Sequence, residues 1–209
     1  MSATKIIRYG AWAAIAVLAF AVAAVTMGGL GKWQPGGADS GTTQLASIGG
    51  PFSMINHEGK PFTEKGLLGK PSAIFFGYTH CPDVCPTTLA ELQGWIEDLG
   101  PDADKLNYVF VSVDPERDTP EIMNSYVHAF DDRIIALTGS TDQVSKMVKA
   151  YRVYARKVEN GDDNYTMDHS AGVYLMDENN QFVGMIAYAE APENAVEKLK
   201  NLTKRVPVS

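Results

Sequence analysis

Residues 71–100, PSAIFFGYTHCPDVCPTTLAELQGWIEDLG, change their periodicity across the only two cysteines of the 209-residue chain. The opening PSAIFFGY is an apolar run rich in β-branched and aromatic side chains, too short for a helix and suited to a buried central strand. After Pro86, the residues Leu89, Leu92 and Ile96 share one face of a 3.6-residue period, and Gly100-Pro101 ends that helix. A strand that passes into a helix through Cys81 and Cys85 puts both thiols at the edge where open α/β sheets place ligands and chemistry.

Working outward, PFSMINHEGKPF alternates and turns at Glu58-Gly59, which predicts a small hairpin. LNYVFVSVDP repeats the strand pattern. TPEIMNSYVHAF starts a helix with Thr119 as cap and Pro120 at its first position. RIIALTG predicts a strand and STDQVSKMVKAYRVY a helix. SAGVYLMDENNQFVGMIAYA predicts two strands around Glu178-Asn179-Asn180, and PENAVEKLKNLTKR a last helix. This order predicts an α/β fold, a mixed sheet with helices on both faces.

The N-terminal run AWAAIAVLAFAVAAVTMGGL, residues 11–30, is long and apolar enough for one transmembrane helix. Lys5 and Arg8 precede it, so the charge bias keeps the N-terminus in the cytoplasm. A signal peptide is the alternative. The chain then divides into residues 1–10, a cytoplasmic N-terminus; 11–30, the anchor or uncleaved signal; 31–48, a flexible Gly/Ser/Thr linker; and 49–206, one folded domain. The net charge of −7 and the lack of an arginine-rich stripe with interleaved aromatics argue against nucleic acid as a partner.

Three readings are open to Cys81 and Cys85. A separation of four residues puts both sulfurs on one side of a first helical turn, where free backbone N–H groups and the helix dipole favour thiolates. Thiolate is both the nucleophile of disulfide exchange and a ligand for soft metals. A structural disulfide closing so short a loop would contribute little. The Cys-x₃-Cys spacing departs from the two-residue spacing of common dithiol redox motifs. A metal site needs a third ligand from four histidines. His57 lies in a turn and His128 near a helix end. His80 adjoins Cys81 at a strand end, and His169 stands in a polar loop before a strand, able to face the helix start if that strand neighbours the one ending at Tyr78. Two thiolates and one imidazole suit Cu(I), whereas Zn²⁺ would recruit a fourth ligand.

Together FGYTHCPDVCPTTL, VSVDPERDTP and DHSAGVYLMD resemble, in this order, the Sco/SenC family of membrane-tethered, copper-binding, thioredoxin-like proteins that help assemble cytochrome c oxidase. The resemblance covers roughly residues 52–206. It implies a thioredoxin-like fold and the metal ligands Cys81, Cys85 and His169, with one copper per chain as Cu(I) or Cu(II). It also implies a copper-bearing oxidase subunit as acceptor, with other periplasmic copper chaperones or thiol reductants as further partners. The expected location is the inner membrane, single-pass, with the domain on the periplasmic or intermembrane-space side. The reading is a chaperone rather than an enzyme. Its alternative is a thiol–disulfide reductase, in which Cys81 attacks and Cys85 resolves without need of His169. Asp114 is expected to orient a loop or meet a partner, or to act only as a turn former, and Arg117 and Asp118 to pair with nearby charges. Asp168 is a candidate acceptor for the second ring N–H of His169. Met167 is a candidate transient copper contact, and Met176 is expected in the core.

Overall fold

The structure, a computed structural model, describes residues 48–161 and 164–204, together with Val17. The chain divides into two units, Met1–Ala46 and Ser47–Ser209, and every element named below belongs to the second. In chain order the strands are β1 (Ser53–Asn56), β2 (Pro61–Thr63), β3 (Ser72–Gly77), β4 (Asn107–Ser112), β5 (Ile134–Thr138), β6 (Ala155–Glu159), β7 (Tyr165–His169), β8 (Val173–Met176) and β9 (Phe182–Ile186). The α-helices are α1 (Val84–Leu99), α2 (Pro120–Val127), α3 (Thr141–Ala150) and α4 (Pro192–Thr203).

Seven strands form one sheet in the order β2-β1-β5-β4-β3-β8-β9. β3, β4 and β5 run parallel, while β1 and β8 pair antiparallel on either side of them. All six residues of β3 are buried, as a strand covered on both faces requires. Alternation sends Phe75 and Gly77 to one face and Phe76 to the other. On the first face Phe75 stacks on Phe110 at 5.9 Å, and Phe110 meets Tyr126 of α2 at 5.7 Å. A Cβ at Gly77 would come within 2.7 Å of the Cys85 sulfur on α1, so glycine is what lets the helix start lie on the strand. On the second face Phe76 packs on Tyr151, which caps α3, and on Tyr174, each at 5.6 Å. Helices thus flank both faces.

Local signals account for the helix starts. The Thr119 hydroxyl accepts the Ile122 N–H, with Pro120 in the first turn of α2. Ser140 and Gln143 form a reciprocal capping box at α3. β6 and β7 form a separate two-stranded sheet where a polar loop was expected, and His169 is its last residue. These strands hold no fully buried residue, so they lack the apolar alternation that marks the others.

The expected transmembrane helix is corrected. Among the described residues no helix is long and apolar enough to cross a membrane. The longest, α1, has 16 residues, reaches about 24 Å, and carries Glu91, Glu97 and Asp98. Apart from Val17, the segment 11–30 lies outside the described residues. The fold described is a mixed α/β sheet with flanking helices and no such element. Among the described residues no element supports the membrane partner or the single-pass inner-membrane location inferred from that helix.

Candidate metal centre

The C-terminal end of β3 delivers Tyr78 and the loop into α1. Asp83, at the N-cap, makes no side-chain cap bond. The Cys81 sulfur takes that place instead and accepts the Cys85 N–H at 3.4 Å. A free N–H of the first turn is thereby satisfied by sulfur, and the positive end of the helix favours a thiolate there.

His169 arrives from the other side. The next strand, β8, pairs with β3 through Phe75 and Val173, which brings the end of β7 over the cysteine loop. The imidazole packs edge-on against Phe75 at 6.1 Å and Tyr78 at 5.9 Å. Its Nδ1–H donates to the Ser170 carbonyl at 2.9 Å, leaving Nε2 to face the sulfurs, 3.4 Å from Cys85 Sγ. One donor atom each from Cys81, Cys85 and His169 falls within 4.8 Å of the other two. This is the one such group of three metal-ligating side chains among the described residues.

The sulfurs differ. Cys85 is fully buried, whereas Cys81 is partly exposed, and both are free thiols. A hydrogen bond from Cys85, helped by His169 and by the backbone N–H groups of Asp83 and Cys85, draws the Cys81 thiol down to about 3. The same bond and burial push Cys85 far up. The opposite shifts make Cys81 the more acidic thiol of the pair and favour the proton on Cys85.

His80 is exposed and contacts Thr79 Oγ1 at 3.1 Å, outside the group of three. His57 accepts the Ala136 N–H, and His128 bonds the Asn124 carbonyl. Asp168 does not reach the His169 ring: Ser170 supplies that acceptor, and Asp168 pairs with Arg156 at 3.0 Å on the surface. Met167 is half-buried against the core, and Met176 lies wholly within it.

Asp114 and Asp118 are both buried. Asp118 accepts the Thr79 hydroxyl at 2.6 Å, the Thr79 N–H, and the Ser112 hydroxyl at 2.5 Å, gripping the loop two residues before Cys81. Burial nevertheless raises its carboxyl above the usual range. Asp114 pairs with Arg117 and accepts the Tyr165 hydroxyl at 2.7 Å. Tyr165 was not anticipated. Its only signal is an aromatic residue in a polar stretch, four positions before His169.

The family described as SCO1/SenC matches residues 40–204. Among curated relatives, Protein SCO2, mitochondrial, of Saccharomyces cerevisiae is 41% identical over 158 residues, covering 74% of this chain and 52% of the relative. Protein SCO1 homolog 1, mitochondrial, of Arabidopsis thaliana is 45% identical over 139 residues, covering 66% and 42%. The chain thus spans about half the length of these relatives. Among solved structures, Bradyrhizobium japonicum ScoI with copper bound is 49% identical with a TM-score of 0.70, covering 75% of this chain and 99% of that one. Yeast Sco1 with copper bound is 38% identical with a TM-score of 0.70, covering 78% and 92%.

Proposed function

The chain belongs to the SCO1/SenC family, and from that premise we propose that it is a copper chaperone serving assembly of the copper site of cytochrome c oxidase. The carrying observation is the convergence of two sulfurs and one imidazole nitrogen within 4.8 Å. That donor set fits a soft ion such as Cu(I), and two of the similar structures, Bradyrhizobium japonicum ScoI and yeast Sco1, have copper bound. Cys81, Cys85 and His169 would hold one copper per chain.

The chain's own groups suit such traffic. Cys81 is already a thiolate and is the more accessible sulfur, so an acceptor's cysteine would meet the site there. Cys85 must give up its proton on loading, and metal binding is the event that releases it. The Ser170 carbonyl keeps the His169 proton on Nδ1, which fixes Nε2 as the donor. Oxidation of Cys81 and Cys85 to a disulfide releases two electrons, removes both thiolate donors and makes loading redox-dependent.

The unequal sulfurs also support a second reading, a thiol–disulfide reductase that keeps the acceptor's cysteines reduced. Cys81 would attack and Cys85 would resolve. His169 separates the two readings. The test is copper stoichiometry on the reduced full chain without oxygen, with competition from a Cu(I) chelator, for wild type, His169→Ala and Cys85→Ser. The chaperone reading expects one copper per chain, weakened strongly by either change. Absence of competitive binding, with disulfide exchange indifferent to His169→Ala, would transfer the assignment to the reductase.

A further inference from the structure

We propose that Arg117 is a positioning residue. With Asp114 and Tyr165 it latches the β6–β7 hairpin to the segment between β4 and α2, and so sets where His169 stands relative to the two sulfurs. The inference rests on the reading that Cys81, Cys85 and His169 share a metal.

A two-stranded hairpin is marginal on its own in water, and this one has no fully buried residue, only Ala155 and Met167 half-buried against the core. Polar contacts add to that thin packing. Arg117 Nε donates to the buried Asp114 carboxylate, and Nη1 donates to the Tyr165 carbonyl at 3.0 Å. The guanidinium carbon lies 3.6 Å from the centre of the Tyr165 ring and 5.7 Å from that of Tyr78. The Tyr165 hydroxyl closes the circuit onto Asp114. Lys157 of β6 stands 3.9 Å from the Tyr165 ring centre and reaches Glu116 at 2.8 Å. Arg117 Nη2 is buried without an acceptor, so two bonds and two rings place the guanidinium.

The segment from Asp114 to Asp118 holds both the hairpin and the cysteine loop. Asp118 takes both the N–H and the hydroxyl of Thr79, next to Tyr78 and two positions before Cys81. Asp114, Glu116 and Arg117 hold the start of β7, whose other end is His169. One short connection therefore references the imidazole to the sulfurs. A lysine at position 117 would keep the charge but lose the planar fork and the stacking.

The test uses the reduced full chain. In competition with a Cu(I) chelator, Arg117→Gln is expected to weaken binding about tenfold to a hundredfold, the range for partners that orient a ligand. In a His169→Ala background the same change is expected to cost less than about twofold, because the imidazole it positions is gone. In the metal-free protein, hydrogen exchange at residues 155–159 and 165–169 is expected to quicken while β3 and β4 stay protected. Tyr165→Phe, which keeps the ring, should act in the same direction with smaller amplitude. Equal losses in both backgrounds, or unchanged hairpin exchange in both variants, would overturn the latch. A wild-type chain that does not compete for copper would instead overturn the metal reading, and the exchange data alone would then decide the latch.

Discussion

β3, which delivers the cysteine loop, is buried along all six residues, whereas β7, which delivers His169, has none fully buried. The first is placed by apolar packing on both faces and by hydrogen bonds to two neighbours. The second is placed by a carboxylate, a guanidinium and a phenol. Packing is dense around β3, so the loop that carries the sulfurs leaves from a rigid part of the molecule. The imidazole sits on a two-stranded ladder that side-chain bonds and half-buried Met167, rather than burial on both faces, tie to the large sheet. Under the proposed copper reading, loading and release would need at least one movable donor, and this division points to His169 for that part.

The comparison can be broken most severely at Phe75, the ring that touches both regions through Phe110 and His169. Phe75→Ala is expected to cost about 3–5 kcal/mol in urea unfolding. A cost under about 1 kcal/mol would show that the sheet does not carry the site as a rigid body. Asp118→Ala should come next, at about 2–3 kcal/mol, since it strands the Thr79 and Ser112 donors in a buried setting. It should also weaken copper competition, because the loop it releases leads to Cys81. Unchanged competition in a folded variant would remove Asp118 from the support of the site.

A third measurement sharpens the contrast between the sulfurs. An ordinary cysteine, with pKa ~8.5, loses thiolate about tenfold per pH unit below that value. Cys81, drawn down to about 3, stays thiolate above that pH, so its alkylation in the metal-free protein should be nearly flat from pH 5 to 8. Mass mapping should find Cys85 unmodified. The sign for stability follows: Cys81 adds stability that is fully present above the unfolded pKa and is lost as pH falls toward about 3. A rate that drops tenfold per unit would mean that the Cys85 bond does not hold the thiolate. The smallest effect is expected at Asp168. Its partner is the exposed Arg156, so Asp168→Ala should leave melting and chelator competition unchanged. A loss approaching that of His169→Ala would return Asp168 to the support of the imidazole.

Most of the large sheet was legible in the sequence because its elements announce themselves locally. The run before Gly77, the repeat at residues 107–112, Pro120 after Thr119, and the Ser140 cap each report a strand or a helix start through short-range sterics and hydrogen bonding. The hairpin was not legible. The exposed ARKVE and the half-exposed YTMDH carry no apolar alternation, and what holds them lies at a distance in the chain, from Tyr165 to Asp114. Adjacency in the sequence points Asp168 at the His169 ring, yet neighbours on a strand point to opposite faces, and a backbone carbonyl takes the bond.

By itself, then, the sequence determined the order of strands and helices in the large sheet, the passage from strand to helix at the cysteines, and the chemical types of the donors, because these depend on residue character and on spacing within a turn or a strand. Only the tertiary structure decided which histidine meets the sulfurs, which sulfur carries the proton, and what holds the hairpin. Those outcomes depend on antiparallel pairing of β8 with β3 and on the burial of Cys85 and Asp114, and such distances close through space rather than along the chain.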